Sequence, residues 1–181
     1  LDEVPIDLHA LATSAVRANL KTNSDEQPCV EIHDKLKGYG VRGDERLLDQ
    51  MLGNIVSNAI KFNRPGGRVD ITLRRDRQNR IILEVKDTGI GIAKSELDNA
   101  LKPFIQLHPG YNREHEGIGL GLTLAENQAA VHNAQISITS REGRGTKVKI
   151  TFPDYRTVKP PKHKRLAIDN VHFLKDARKV A

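Results

Sequence analysis

Residues 54–62 read Asn-Ile-Val-Ser-Asn-Ala-Ile-Lys-Phe and end a long run of helical apolar spacing that begins behind Asp44. Asn54, Asn58 and Lys61 stand at positions i, i+4 and i+7, so they share one face of the predicted helix. Amide oxygens suit Mg²⁺ and an ammonium group suits phosphate, so this face is a candidate site for a polyphosphate with its cation. From these residues alone, the alternative is an ordinary solvated helix face.

A second motif follows a predicted strand, where residues 87–92 read Asp-Thr-Gly-Ile-Gly-Ile. An ionised Asp87 only accepts hydrogen bonds, so it can take the exocyclic amine of adenine. Gly89 and Gly91 let the backbone approach a flat base, and Ile92 can pack on its face. The alternative is a simple turn after a strand, because Asp and Gly are common turn residues.

Two further glycine-rich segments are residues 117–122 (Gly-Ile-Gly-Leu-Gly-Leu) and residues 143–146 (Gly-Arg-Gly-Thr). The first opens a predicted helix, where free backbone N–H groups and the helix dipole favour an anion. It is not a Walker loop, because no Gly-Lys-Ser/Thr follows. A hinge before a helix is the alternative for the first segment, and a plain hairpin turn for the second.

Together and in this order, the motifs resemble the catalytic ATP-binding domain of sensor histidine kinases over residues 5–153. That domain is part of a wider family that includes gyrase, chaperone and mismatch-repair ATPases. The resemblance implies a Bergerat-type ATP-binding fold, ATP and Mg²⁺ as cofactors, and transfer of the γ-phosphate to a histidine in two-component signal transduction. The implied partners are an upstream dimerisation and His-phosphoacceptor domain, a second copy of the parent protein and, indirectly, a response regulator.

The resemblance also implies roles for individual residues. Asn58 matches the Mg²⁺-binding Asn, Lys61 a basic residue near the phosphates, and Phe62 an aromatic residue near the adenine. Arg113 matches a basic residue of a mobile lid, predicted at residues 93–116, that touches the terminal phosphate. The other expected nucleotide contacts are Asp87, Gly89, Gly91, Ile92, Gly117, Gly119, Leu120, Gly121 and Thr146. The side-chain hydroxyl of Thr146, directly or through a water, is expected to support Asp87.

The expected catalytic residues are Asn54, Lys61 and Arg113, and Asn54 bears on the type of reaction. Hydrolysing relatives carry a Glu at this place that activates water, whereas an amide cannot serve as a general base. The sequence therefore favours phosphate transfer to a protein over ATP hydrolysis. Three alternatives stay open: a regulatory ATP-binding module without transfer (a pseudokinase), a related serine kinase, and an ATPase of the same fold.

Apolar periodicity predicts three long helices, two of them behind the N-caps Asp7 and Asp44 and the third at residues 121–132. Alternating apolar residues predict strands at residues 28–33, 69–73, 81–85, 136–138 and 148–152. We therefore predict an α/β fold, a two-layer α/β sandwich in which a mixed, mostly antiparallel sheet packs on three helices.

Charge and proline positions divide the chain into residues 1–153, the predicted catalytic domain, and residues 154–181, a basic C-terminal tail or linker. Residues 156–181 hold eight basic and two acidic residues, which equals the whole formal net charge of +6. A basic tail can contact nucleic acid. Because the chain has no Trp and only 4% aromatic residues, no nucleic-acid partner is expected.

Cysteine usage and hydropathy limit the remaining classes. The single Cys29 cannot form an internal disulfide, which favours a reducing compartment. No spacing of His, Cys and carboxylate residues along the sequence indicates a zinc site. No apolar run approaches a membrane span and the first residue is Leu, so we expect a cytoplasmic domain of a longer parent protein, whose membrane attachment stays open.

Overall fold

Helices form where apolar residues recur at helical spacing. The computed structural model describes residues 1–20, 27–97, 121–159 and 170–173. Within them lie the helices α1 (Leu8–Asn19), α2 (Glu45–Lys61), α3 (Lys94–Leu97) and α4 (Gly121–Val131). Both predicted N-caps are confirmed, since Asp7 accepts a hydrogen bond from the His9 N–H (2.9 Å) and Asp44 from the Leu47 N–H (3.2 Å). In this described part, no helix is both long and apolar enough to cross a membrane.

The described strands form two sheets. The smaller one is antiparallel and contains β1 (Glu3–Ile6), β3 (Gly40–Asp44) and β8 (Thr157–Val158) in the order β1-β3-β8. The larger one contains β2 (Cys29–Lys35), β4 (Arg68–Arg75), β5 (Ile81–Asp87), β6 (Gln135–Arg141), β7 (Gly145–Thr151) and β9 (Asn170–Phe173), in the order β6-β7-β5-β4-β2-β9. Within the larger sheet, β2 and β4 run parallel and the other neighbouring pairs are antiparallel.

The hydrophobic core lies between one face of the larger sheet and the long helices α1, α2 and α4. Alternate strand residues such as Ile32, Ile71 and Leu83 are fully buried, as are Leu52 and Val56 of α2. Each such side chain stabilises the fold by about 1.5–3 kcal/mol on burial. The predicted two-layer α/β sandwich with a mixed, mostly antiparallel sheet is confirmed. The smaller sheet was not predicted, because β1 and β3 are short and interrupted by Pro and Gly.

Packed structure continues past Pro153, the predicted end of the domain. Residues 154–156 form a 3₁₀ turn, and β8 then pairs with β3. The buried Arg156 guanidinium donates hydrogen bonds to Glu3 Oε1 (3.0 Å) and to the Arg42 carbonyl oxygen (2.8 Å). A charge removed from water needs such partners, so this short segment is anchored on the smaller sheet.

A buried histidine connects the end of α4 to the start of α2. His132 donates from Nδ1 to the Gln128 carbonyl oxygen (2.7 Å) and accepts at Nε2 from the Asp44 N–H (3.0 Å). These two bonds require the neutral tautomer with the proton on Nδ1. Asn133 then takes a left-handed conformation (φ 52°), which Asn tolerates better than most residues do. The two helices that carry the candidate site are thus fixed to each other.

Candidate nucleotide site

The polar face of α2 meets the N-terminus of α4. Asn54 and Asn58 are half-buried, and a Cβ atom placed on Gly121 would lie 3.4 Å from Asn58 Nδ2 and 3.9 Å from Asn54 Cβ. Two turns later, Gln128 Nε2 donates to Gln50 Oε1 (3.1 Å). Backbone N–H groups at a helix start favour an anion, so two amide side chains lie beside a helix end of the kind that can bind one.

Asp87, the last residue of β5, has a fixed carboxylate. Its Oδ1 atom accepts hydrogen bonds from the backbone N–H groups of Gly89 (2.8 Å) and Thr146 (3.1 Å). Within the described ranges, no protein donor contacts the other oxygen, Oδ2. The carboxylate therefore presents one acceptor atom in a defined direction.

The environment of this carboxylate is unusual for an aspartate. Burial raises the pKa of Asp87, while the two backbone hydrogen bonds oppose that rise. Desolvation disfavours the charged form, so an ionised Asp87 gains from an added hydrogen-bond donor. A fixed and partly dehydrated carboxylate of this kind is typical of binding sites.

The loop after Asp87 packs against the end of α2 and against the turn between β6 and β7. The Ile90 N–H donates to the Phe62 carbonyl oxygen (3.1 Å), and the Gly143 N–H donates to the Ile90 carbonyl oxygen (2.7 Å). Gly91 has φ +70°, and a Cβ atom there would collide with the Arg141 carbonyl oxygen. Only glycine fits this approach, which explains one of the two predicted glycines.

The sequence predicted that the Thr146 hydroxyl supports Asp87, directly or through a water. The direct contact is instead made by the Thr146 backbone N–H (3.1 Å). The hydroxyl instead lies 2.8 Å from Ser140 Oγ. Ser140 Oγ also accepts from the Ile92 N–H (2.8 Å) and donates to the Gly145 carbonyl oxygen (3.0 Å). Ser140 therefore connects Ile92, at the end of the loop that follows Asp87, to Gly145 and Thr146 at the start of β7. Sequence reasoning missed it, because a Ser in an alternating strand carries no distinctive signal.

Asn63 and Arg64, directly after the 54–62 stretch, also fix this loop and were not predicted. Arg64 donates from Nε to the Thr88 carbonyl oxygen and from Nη2 to the Gly143 carbonyl oxygen (3.2 Å). Asn63 Oδ1 accepts from the Thr88 hydroxyl (3.2 Å), and its Nδ2 donates to the Arg68 carbonyl oxygen (3.0 Å). The loop is thus held before any ligand binds. Their position immediately behind the motif was the available signal.

The remaining predicted residues divide into two groups. Lys61 Nζ lies 5.2 Å from the centre of the Phe62 ring, and this ring is 43% exposed at the end of α2. Gly89 is buried beside the Phe62 carbonyl oxygen, and Ile92 is half-buried. The residues Arg113, Gly117, Gly119 and Leu120, with most of the predicted lid, lie outside the described residues.

Comparisons with known proteins identify the family of the chain. The family model described as "Histidine kinase-, DNA gyrase B-, and HSP90-like ATPase" matches residues 43–156. The chain is 42% identical over 113 residues to an uncharacterized sensor-like histidine kinase of Rhizobium meliloti (strain 1021), covering 62% of this chain and 21% of that protein. It is 38% identical over 123 residues to the cell-division control histidine kinase PdhS of Brucella canis, covering 64% of this chain and 12% of that protein. The chain spans less than a quarter of the length of these relatives.

Solved structures share the fold. Full-length ShkA in complex with AMPPNP aligns with a TM-score of 0.72 at 23% identity, over 84% of this chain and 31% of that one. The mycobacterial sensor histidine kinase MprB aligns with a TM-score of 0.70 at 24% identity, over 83% of this chain and 97% of that one. With the family match over residues 43–156, the chain belongs to the histidine kinase-, DNA gyrase B- and HSP90-like ATPases, as the motifs predicted.

Proposed function

We propose that this chain is the catalytic domain of a two-component sensor histidine kinase, which binds Mg-ATP and donates the γ-phosphate to a histidine on a separate domain. The observation that carries the proposal is Asp87. Its carboxylate is fixed by two backbone N–H groups and presents one oxygen from a pre-formed loop. A fixed acceptor beside a closely packed glycine loop matches the amine and the flat face of adenine.

In this proposal, Asp87 Oδ2 accepts the adenine amine, and Ile92 and Phe62 pack near the base. The base contacts would then be made by residues that the structure already holds in position: the N–H groups of Gly89, Ile90 and Ile92 are all engaged within the protein. Little ordering would be needed on binding, which favours affinity.

The phosphates would lie toward the junction of α2 and α4. Asn58 offers an amide oxygen to Mg²⁺, Lys61 offers a cation, and the N-terminal end of α4 at Gly121, next to Asn58, carries the positive end of the helix dipole. A bound Mg²⁺ would neutralise phosphate charge. Contacts from Arg113, Gly117, Gly119 and Leu120 remain predictions from the sequence resemblance.

The proposed reaction, phosphate transfer to a histidine, does not require a general base on this domain. A neutral imidazole carries a lone pair, so the donor domain need not supply a general base. Asn54, beside Asn58 on α2, cannot activate water either. The role of this domain would therefore be to position the nucleotide and offset its charge, as phosphoryl transfer requires.

The partners of the parent protein are part of the same proposal. Relatives named as histidine kinases are several times longer than this chain. An upstream dimerisation domain with the acceptor histidine, a homodimeric parent, a response regulator that receives the phosphate, and a cytoplasmic location all fit that role. A regulatory module that binds ATP without transferring phosphate is the competing proposal.

A nucleotide titration tests the binding step. ATP should bind the 181-residue chain, and its affinity should rise about tenfold or more when Mg²⁺ is added, since a bridging divalent ion offsets part of the phosphate charge. Isothermal titration calorimetry with and without EDTA measures the difference. A chain that binds no ATP in either condition contradicts the proposed function.

A further inference from the structure

The outer face of the larger sheet, opposite the helices, carries a cluster of metal-ligating side chains. It consists of Glu31 and His33 on β2 and Asp70 on β4. The parallel register of these strands places Glu31 opposite Asp70 and His33 one position farther along the same face. Because side chains two apart on a strand share a face, all three project from one patch. None of them belongs to the candidate nucleotide site.

The ligand atoms of this cluster have the spacing of a metal centre. His33 Nε2 lies 3.3 Å from Asp70 Oδ1 and 3.6 Å from Glu31 Oε2, and all three ligand atoms lie within 4.8 Å of one another. Two ligands about 2.1 Å from a tetrahedral Zn²⁺ lie roughly 3.4 Å apart. The two distances from His33 Nε2 to the carboxylate oxygens therefore already have the length that tetrahedral coordination requires.

A positively charged side chain now sits against the same oxygens. Arg68 donates to Asp70 Oδ1 (2.8 Å) and to Glu31 Oε2 (2.9 Å), the two atoms that face His33 Nε2. The Arg68 side chain is 48% exposed, whereas the Glu31 side chain is only 15% exposed. The Asp70 side chain is 26% exposed, so both carboxylates are less exposed than the cation that neutralises them.

We propose that Glu31, His33 and Asp70 form a binding site for Zn²⁺ on the outer face of the sheet, with Arg68 as the cation that the metal displaces. One imidazole nitrogen and two carboxylate oxygens are accepted zinc ligands, and three protein ligands leave a fourth position for water. Imidazole nitrogen disfavours Mg²⁺ and Ca²⁺, which take oxygen ligands. The site is independent of ATP binding.

Zinc titration of the metal-free chain tests the site. After dialysis against a chelator, Zn²⁺ should bind with one-to-one stoichiometry at pH 7.5. His33→Ala and Asp70→Asn should each weaken binding at least about tenfold, because even outer-sphere changes at metal sites cost that much. Co²⁺ in place of Zn²⁺ should give the strong visible absorption of a tetrahedral complex.

Two variants separate this site from other metal-binding groups. His9→Ala removes a histidine that lies 3.6 Å from a single carboxylate oxygen, that of Asp34, and should leave affinity unchanged. Cys29→Ser removes a thiol on the same face of β2, opposite Arg68 in the strand register, and should leave affinity unchanged because the proposal gives the fourth position to water. Loss of binding in His9→Ala as strong as in His33→Ala would mean that the metal is bound elsewhere, and the same loss in Cys29→Ser would make the thiol a ligand. Either result would overturn the proposed set of three ligands.

Arg68→Gln gives the test with the opposite sign. It removes the competing cation and leaves all three ligands, so Zn²⁺ affinity should rise about threefold, which is within the range for an exposed charge pair. A merely structural ion-pair cluster predicts no such gain. Absence of stoichiometric Zn²⁺ binding in the unmodified chain, or equal affinity in the unmodified and His33→Ala chains, would overturn the proposal.

Discussion

Replacing Asp87 by Asn is expected to lower ATP affinity about tenfold or more while the fold stays intact. The backbone N–H groups of Gly89 and Thr146 require an oxygen at the Oδ1 position. The amide nitrogen of Asn must then take the Oδ2 position, where it faces the adenine amine donor to donor. An unpaired buried donor costs about 1–3 kcal/mol, and 1.4 kcal/mol is tenfold in affinity.

Base selectivity makes this prediction specific. A purine with a 6-oxo group offers an acceptor where adenine offers a donor, so the ratio of ITP to ATP affinity should rise in Asp87→Asn. Glu84→Gln is the matched control, because Glu84 lies on the same strand but projects from the outer face. Titrations of both variants with ATP and ITP give the answer. Unchanged ATP affinity in folded Asp87→Asn would remove Asp87 from the site.

The raised pKa of Asp87 adds a pH dependence with a definite sign. As pH falls through this raised pKa, the carboxyl group takes a proton and Oδ2 loses its acceptor character, so ATP affinity should fall at a higher pH than for an ordinary aspartate. The free energy of unfolding has the opposite pH dependence to ATP affinity, because ionising the buried carboxyl costs stability as pH rises. Ionised Asp87 destabilises the folded state above its folded pKa, so Asp87→Asn should have the higher Tm at neutral pH, and the difference should shrink in acid. Thermal melts from pH 3 to 8 measure both chains.

Replacing Asn58 by Ala is expected to reduce phosphate transfer about a hundredfold or more. Asn58 is the proposed protein ligand of Mg²⁺, and metal-ion stabilisation of a phosphoryl transition state is worth several kcal/mol. ATP binding should persist in part, because the adenine contacts around Asp87 do not involve this side chain. The effect should thus appear in the transfer rate more than in nucleotide affinity.

Two comparisons distinguish this role from a packing defect. Asn58→Asp keeps an oxygen ligand and should recover part of the transfer rate, whereas a packing defect would not respond to a ligand oxygen. Ser57→Ala changes the neighbouring half-buried residue of α2 and should transfer at the original rate. Transfer by Asn58→Ala at the rate of the unmodified chain would exclude Asn58 as a metal ligand.

The spacing of residues along the chain predicted those features that depend on a single helix or strand. The helix that bears Asn54, Asn58 and Lys61 could be predicted because its apolar and polar stripes repeat every turn. The strands β4 and β5 could be predicted from two runs of alternating apolar residues. The N-caps Asp7 and Asp44 could also be predicted, because each cap binds backbone groups only two or three residues away.

Contacts between distant elements could not be predicted in this way. Ser140 joins the loop at Ile92 to Thr146 across three strands, and Arg64 reaches Gly143 across 79 positions of sequence. The Glu31, His33 and Asp70 cluster depends on a parallel strand register, so no spacing along the chain could indicate it. Recognising such groups requires the strand order, which a single sequence does not contain.

The most direct test of the kinase proposal compares transfer with hydrolysis. The chain is incubated with Mg²⁺ and γ-labelled ATP, alone and with a helical domain that carries an acceptor histidine. We predict an acid-labile, base-stable label on that histidine and very slow release of phosphate by the chain alone, since Asn54 supplies no base. Rapid, Asn58-dependent phosphate release by the chain alone would instead indicate an ATPase. Bound ATP with no label on the cognate acceptor domain would contradict the kinase proposal and favour a regulatory module.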